Sequence, residues 1–207
     1  MRKLTKRIIH PFLKFGLKLF NKKPRTFTYE SIEVSVLPEV FPPYLTFSTK
    51  ILLDYIKSLD LKGKTVLELG CGSGIISLFA SSKDAHVTAT DINEVALDAL
   101  KYASKKHNLP IEIFFSDLFD GIQKTSFNYI IINPPYYPKA PKSIKEQAWF
   151  CGEDFEYFEK LFQQLSTRTD KIVLMILSID CNIKNIKHVA ENYNLKLDIV
   201  LEKTVFG

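Results

Sequence analysis

Cysteine and histidine are scarce in this 207-residue chain, and their placement excludes two kinds of site. The three cysteines, Cys71, Cys151 and Cys181, stand far apart, and none belongs to a C-x-x-C pair. The four histidines are equally dispersed. A disulfide framework uses an even set of cysteines, and a zinc site uses paired ligands at short spacing. We therefore expect neither of them, and no bound metal.

Long apolar runs are also missing. Hydrophobic residues make up 46% of the chain and charged residues 25%, which is typical of a globular protein with one sizeable core. No stretch reaches the roughly 18 consecutive apolar residues that a membrane-spanning helix needs. Lysines interrupt the N-terminal apolar run and no small-residue cleavage site follows, so a secretory signal is a poor fit. We expect a cytoplasmic protein with no integral membrane association.

Acidic residues are absent from residues 1–25, which hold nine of the 28 basic residues. The remainder has 19 basic and 23 acidic residues, so the net charge of +5 is a property of this segment. Its apolar residues recur three or four positions apart, and a helix would place them on one stripe opposite the lysines. These residues are Leu4, Ile8, Phe12, Phe15 and Leu19.

Three interpretations of that stripe remain open: a helix packed on the protein's own core, an arm that contacts a polyanion, or a helix on a membrane surface. With about 150 residues for a typical domain, the length predicts one domain with a modest extension. We assign residues 1–37 to a basic amphipathic extension and residues 38–207 to the domain.

From residue 64 onward, short apolar or β-branched runs alternate with segments of helical periodicity. Strands are predicted at 65–69, 86–90, 111–115, 128–132, 171–177 and 196–201, and helices at 48–59, 74–82, 93–107, 154–166 and 183–192. This alternation implies right-handed crossovers and a mostly parallel sheet with helices on both faces. The fold class is α/β, doubly wound. Ligands of such sheets sit beyond the carboxyl ends of the strands, where strand order reverses.

The first strand ends in a glycine-rich turn that leads directly into a helix. Glu68 is followed by Gly70, Gly72 and Gly74. Glycines allow a sharp turn and a close approach of a ligand to the main chain, and the helix N-terminus offers free N–H donors. Ile75 follows Gly74, so the dinucleotide spacing G-x-G-x-x-G is not met. A tight turn without a ligand is the alternative.

The next two strands each end in an acidic residue followed by an apolar one. Asp91, with Ile92 after it, lies 21 positions beyond Gly70, where a carboxylate can accept both hydroxyls of a ribose. A helix cap is the other possible role of Asp91. Asp117 would lie beside an adenine amino group, with Leu118 against the ring. An ordinary loop acid is the alternative for Asp117.

The fourth strand gives the sharpest signal, because Asn133-Pro134-Pro135-Tyr136 closes an apolar run. Two consecutive prolines fix the backbone, which leaves the Asn133 amide and the Pro134 carbonyl as hydrogen-bond acceptors at set positions. Tyr136 adds an aromatic face. The pattern predicts a holder for a flat nitrogen group, and an ordinary proline-rich turn is the alternative.

Together these motifs resemble class I S-adenosylmethionine-dependent methyltransferases with an Asn-Pro-Pro-Tyr motif, most closely the HemK-type protein-glutamine methyltransferases. Residues 40–43 with 46–49, and then 66–74, 91–93, 116–118 and 133–136, follow that family's order, and the resemblance spans roughly residues 38–205. The family fold ends in a hairpin with an antiparallel last strand. Because the chain stops at Gly207, we expect a truncated chain or a sheet that lacks this strand.

The resemblance implies S-adenosyl-L-methionine as cofactor. Its methionine end would contact the glycine turn and its ribose Asp91 and Ile92, and the adenine would contact Asp117 and Leu118. The implied cofactor-binding residues are Glu68, Gly70, Gly72, Gly74, Asp91, Ile92, Asp117, Leu118 and Asn133.

The catalytic residues would be Asn133, Pro134 and Tyr136. The first two would accept the N–H bonds of the acceptor nitrogen, and Tyr136 would stack on its planar group. No general base is evident in the sequence.

Three functions remain open. The resemblance favours methylation of a glutamine side chain in a protein partner such as a translation factor, although residues 1–37 are too short for the family's recognition domain. Methylation of an exocyclic amine of adenine or guanine in rRNA, tRNA or DNA is the alternative, because the basic segment could contact phosphates. A non-catalytic module that retains the cofactor fold is the third.

Overall fold

A computed structural model describes residues 23–179 and 181–204. The amphipathic helix predicted around residues 4–19 lies outside these residues, so its three interpretations stay predictions. In the described part, seven strands and six helices follow one another. They are β1 (Arg25–Tyr29), β2 (Ile32–Val36), α1 (Ser48–Lys57), β3 (Thr65–Leu69), α2 (Ile75–Ser81), β4 (His86–Asp91), α3 (Glu94–His107), β5 (Ile111–Phe115), β6 (Tyr129–Ile132), α4 (Ile144–Gln147), α5 (Glu156–Ser166), β7 (Ile172–Met175) and α6 (Ile183–Asn192).

The central sheet has the strand order β5-β4-β3-β6-β7, and every pairing in it is parallel. The chain begins the sheet in the middle at β3, adds β4 and β5 on one side, and then returns to add β6 and β7 on the other. Strand order therefore reverses between β3 and β6, where the carboxyl ends of the two strands open a crevice.

Both faces of the sheet are covered, because successive side chains of the central strands point to opposite faces. Val66 of β3 and Ile131 of β6 pack with α1, α2 and α3, whereas Leu67 of β3 and Ile130 of β6 pack with α5 and α6. All four side chains are buried. This arrangement confirms the predicted α/β doubly wound class with helices on both faces.

An antiparallel hairpin, β1 paired with β2, precedes the sheet and was not predicted from the sequence. Alternation in β2 buries Ile32, Val34 and Val36 and exposes the residues between them. The buried side chains belong to the same core as α2 and α3. These residues belong to the predicted basic extension, but in the structure they pack on the domain. The division of the chain at residue 37 stays a prediction.

The strand predicted at 196–201 is wrong, because the structure has no strand there. Ile199 and Val200 are 70% and 65% exposed, so they are not buried against any described element. Alternating apolar residues form a strand when a sheet edge supplies hydrogen-bond partners and a surface to cover them. In the structure, residues 196–201 have neither a paired sheet edge nor a surface that covers Ile199 and Val200.

Candidate active site

A cavity of about 450 Å³ opens at the carboxyl ends of β3, β4, β5 and β6. Its volume lies within the range of about 300–1,000 Å³ that is usual for small-molecule sites. Eight of the predicted site residues line it: Glu68, Gly70, Gly72, Asp91, Ile92, Asp117, Leu118 and Asn133. The fold thus brings together residues from four separate strand ends.

The turn after β3 presents bare main chain to this cavity. Gly70 and Gly72 have φ angles of 71° and 50°, in the left-handed region that favours glycine. A Cβ on Gly70 would meet no heavy atom within 4 Å, so a ligand can approach closely here.

Gly74 differs from the other two glycines, because it does not line the cavity. A Cβ at this position would overlap the side chain of Leu100, and φ is 73°. Gly74 is the residue before α2 and allows α3 to pack closely against the turn. Its contact with the cofactor stays a prediction, and in the structure the absence of a side chain at Gly74 serves helix packing.

Asp91 holds the glycine turn against the end of β4. Its Oδ2 accepts the N–H of Gly72 at 2.8 Å, and its Oδ1 accepts the N–H of Asn93 at 2.9 Å. Asn93, rather than Asp91, caps α3 by accepting from the N–H of Val95. Burial raises the pKa of the Asp91 carboxyl, and the backbone donors act against that rise. Each carboxylate oxygen has a further lone pair for a ligand in the cavity.

Glu68 lies deeper, at the floor of the cavity. Its Oε2 accepts both the backbone N–H of Ser77, at 2.8 Å, and the Ser77 hydroxyl. Burial nevertheless raises the pKa of Glu68 to about 8, because desolvation outweighs these two donors. Around neutral pH the acid is therefore mostly protonated in the absence of a cation.

Asp117 and Leu118 stand at the opposite end of the cavity, after β5. Leu118 is buried and has a φ of 52°. Lys160 of α5 lies 2.6 Å from Asp117 Oδ2 and 2.7 Å from Asp120 Oδ2, so Asp117 has an ion-pair partner that the sequence did not reveal. Lys160 also lines the cavity. No local signal could have identified it, because 43 residues separate Lys160 from Asp117 and only the fold brings them together.

The Asn133-Pro134-Pro135-Tyr136 segment follows β6 directly. The amide nitrogen of Asn133 donates to Thr49 Oγ1 at 3.4 Å, so Nδ2 rather than Oδ1 faces Thr49. Pro134 and Tyr136 do not line the large cavity; they line a small pocket beside it, which Asn133 also borders. Tyr136 is 7% exposed and meets the ring of Tyr137 edge-on at 4.9 Å.

The connector of residues 37–47 and the loop of residues 137–152 form the outer wall of the cavity. Phe41 and Trp149 contact each other across this wall, with ring centroids 4.8 Å apart. Backbone hydrogen bonds between residues 137–139 and residues 149–152 hold the two ends of the loop together. The sequence singled out residues 40–43 and 46–49 as a family-like pattern, but gave Phe41 and Thr49 no role in the site.

Among residues 23–179 and 181–204, no group of three or more His, Cys, Asp or Glu side chains could hold a metal ion. Within the same residues, no helix is both long and apolar enough to cross a bilayer.

The family model of the methyltransferase small domain matches residues 32–149 of this chain. A Methanocaldococcus jannaschii protein, named as a candidate protein N5-glutamine methyltransferase, is 40% identical over 113 residues, which are 54% of each chain. The ribosomal RNA small subunit methyltransferase C of Haemophilus influenzae (strain Rd) is 36% identical over 152 residues, which are 69% of this chain and 45% of the relative. The chain thus spans about half the length of these curated relatives.

Among solved structures, the 16S rRNA N2 methyltransferase of T. thermophilus in complex with AdoMet and guanosine has the same fold, with a TM-score of 0.60 at 15% identity. The match covers 82% of this chain and 45% of that one. The chain belongs to the methyltransferase small domain family, and its domain is of the class I type that uses S-adenosylmethionine.

Proposed function

We propose that the large cavity binds S-adenosylmethionine and that the protein transfers its methyl group to the NH₂ nitrogen of a planar amide or amine. The observation that carries this proposal is the meeting of the glycine turn, Asp91 and Asn133 around one cavity at the reversal of strand order. S-adenosylmethionine supplies an electrophilic methyl group on a positively charged sulfur, so the chemistry requires alignment rather than activation.

The residues present fit this cofactor. Gly70 has open space at its Cβ position, and Asp91 has lone pairs left for two ribose hydroxyls. Glu68 and Gly70 would contact the methionine end, Asp91 and Ile92 the ribose, and Asp117 with Leu118 the adenine. Lys160 forms an ion pair with Asp117. We therefore expect the Asp117 carboxylate to bind both Lys160 and the adenine amino group at the same time.

The acceptor nitrogen would lie against Asn133. Its lone pair is delocalised into the attached planar group, so it is a weak nucleophile that becomes positively charged as it attacks. Asn133 Oδ1 and the Pro134 carbonyl would accept its two N–H bonds, and these bonds strengthen as the charge develops. Tyr136 would pack on the planar group. The proton can leave to water after transfer, so no general base is needed.

We propose a glutamine side chain of a protein as the acceptor, such as that of a translation factor. The proposal is supported by the 40% identity to a relative named for glutamine methylation and by the order of the motifs. An exocyclic amine of a nucleic-acid base is the second candidate, because the methyltransferase C relative is named for ribosomal RNA and residues 1–25 carry nine basic side chains.

Transfer of tritium-labelled methyl groups into a cell lysate tests both candidates. Parallel samples are treated with protease or nuclease after the reaction. Label that protease removes and nuclease leaves supports the glutamine acceptor, and the reverse result supports the base. Absence of label in every macromolecular fraction, with a protein that fails to bind S-adenosylmethionine in calorimetry, favours the non-catalytic module.

A further inference from the structure

A small pocket next to the large cavity lies where the acceptor nitrogen would sit. Its walls are the rings of Phe41, Tyr136, Tyr137 and Trp149 together with Asn133 and Pro134. We call it the acceptor pocket. It measures about 10 Å³, close to the space of a single water, so a planar group enters only if a wall moves.

Phe41 is one of the walls that the two sites share, since it lines both the large cavity and the acceptor pocket. On the cavity side its Cβ lies 3.9 Å from the position a Cβ would take on Gly72, within the turn assigned to the cofactor. On the pocket side its ring lies against Trp149. A single side chain therefore lines both the large cavity and the acceptor pocket, whose ligands must be aligned for methyl transfer.

The Phe41–Trp149 pair also joins two separate segments of the chain. Phe41 lies in the connector between β2 and α1, and Trp149 follows α4. A hydrogen bond also links these two segments, because Lys145 Nζ donates to the Pro38 carbonyl at 2.6 Å. The rings are tilted by 52°, which is neither a stacked nor a perpendicular arrangement. Phe41 and Trp149 are half-buried and lie on loops, whereas Tyr136 is buried in the core, so the Phe41–Trp149 pair can move more readily than Tyr136.

Resting on the proposed function, we propose that Phe41 is a positioning residue that couples the two sites. A cofactor in the large cavity contacts the cavity side of the Phe41 ring, removes its freedom to tilt away, and holds it against Trp149. The wall of the acceptor pocket thereby becomes fixed. Because linkage is reciprocal, an acceptor packed against Trp149 strengthens cofactor binding by the same factor.

Trp149 is the single tryptophan of the chain, so its fluorescence reports this wall directly. We would titrate S-adenosylhomocysteine into the full-length protein and follow both the emission of Trp149 and its quenching by acrylamide. We expect quenching to fall as the ligand binds, with the midpoint at the dissociation constant measured by calorimetry. Phe41→Ala should still bind the ligand yet lose this response, and Phe41→Tyr, which keeps the ring, should restore it.

The outcomes separate the two proposals. A parent protein that does not bind S-adenosylhomocysteine contradicts the proposed function and the coupling with it. A parent that binds the ligand while Trp149 stays unchanged overturns the coupling alone, as does a Phe41→Ala variant that responds like the parent. Should Phe41→Ala fail to fold, Phe41→Leu replaces it with the same expectation, since leucine retains apolar bulk without the ring.

Discussion

Glu68 and Asp91 are two acids in one cavity with different surroundings. Asp91 stands at a strand end and accepts two backbone N–H groups from separate loops. Glu68 is buried and accepts hydrogen bonds from the backbone N–H and the hydroxyl of Ser77. Because hydrogen bonds from fixed donors favour an ionised carboxylate and burial disfavours it, the two acids are suited to different tasks. Asp91 can accept hydrogen bonds from ribose hydroxyls. Glu68 can lose its proton when a cation binds nearby and regain it when the cation leaves.

The raised pKa of Glu68 predicts that the ligand-free protein loses stability as pH rises. The folded-state pKa of about 8 exceeds the ordinary 4.5, so between these values the folded protein keeps a proton that the unfolded chain has released. Unfolding releases that proton, and stability therefore decreases from about pH 5 to about pH 8. Glu68→Gln, which cannot ionise, should show a flatter dependence. Thermal melts of both proteins across this range measure the difference, and parallel curves would contradict the assignment.

Asp91→Ala should weaken S-adenosylhomocysteine binding by about 10²-fold or more, because two charged hydrogen bonds of about 1.5–3 kcal/mol each are lost. Asp91→Asn is the matched control, since it retains one acceptor oxygen and the same shape, and we expect a smaller loss. Calorimetry of the three proteins gives the order. An alanine variant that binds as tightly as the parent would remove Asp91 from the ribose site.

Single residues also show where sequence reasoning reached its limit. Asp91 and Asn133 could be predicted because each ends a strand, and the topology brings such ends together. Lys160 could not, because its partner Asp117 lies on a different element and no motif connects them. The same holds for Phe41, which contacts Trp149 from 108 positions away.

At the scale of elements, β3, β4, β5 and β6 were predicted to within a residue. Short apolar or β-branched runs and the turns that flank them set the bounds of these strands together. The hairpin of β1 and β2 was not predicted. Its alternating buried and exposed residues directly follow a basic run, and residues 1–37 were interpreted together as a basic extension. The strand expected at 196–201 failed for the opposite reason. Its sequence favours a strand, but a strand also needs a paired edge, which sequence pattern alone does not supply.

Two glycines of the turn between β3 and α2 should lose stability for different reasons when they are replaced by alanine. Gly74→Ala should lower the free energy of unfolding by about 1–3 kcal/mol, because the new methyl group overlaps Leu100 and the backbone stays at positive φ. Gly70→Ala should cost about 1–2 kcal/mol through φ alone, since nothing lies within 4 Å of the new group.

For ligand binding we expect the opposite order, with the larger loss in Gly70→Ala. Gly70 lines the cavity and Gly74 does not, so Gly70→Ala should impair S-adenosylhomocysteine binding more strongly. Urea unfolding and calorimetry on both variants measure the two orders. If Gly74→Ala instead leaves stability intact and abolishes binding, the packing role assigned to Gly74 is wrong.

At the scale of the whole molecule, charge is divided between a basic N-terminal segment and an acidic remainder. The domain supplies the cofactor cavity, whereas the choice of acceptor depends on what docks beside Asn133. A polyanionic acceptor would make use of residues 1–25 through phosphate contacts, which weaken steeply with salt. A protein acceptor has no such dependence on that segment.

The glutamine proposal therefore predicts that removal of residues 1–22, which leaves β1 intact, changes methyl transfer little. Raising salt from about 50 to about 200 mM should likewise have a small effect. The matched control is S-adenosylhomocysteine binding by the shortened protein, which should equal that of the parent. A large loss of transfer on deletion together with a steep salt dependence would favour the nucleic-acid acceptor instead.

The central claim is that Asn133 holds the acceptor nitrogen at the edge of the cofactor cavity, where the glycine turn and Asp91 make the main contacts with the cofactor. The most direct measurement compares Asn133→Ala with the parent in the tritium transfer assay, at saturating S-adenosylmethionine, alongside calorimetry with S-adenosylhomocysteine. We predict that transfer falls by about 10²-fold or more, because a preorganised partner of the transition state is lost, while the affinity for the ligand falls far less. Transfer at the parental rate would contradict this account.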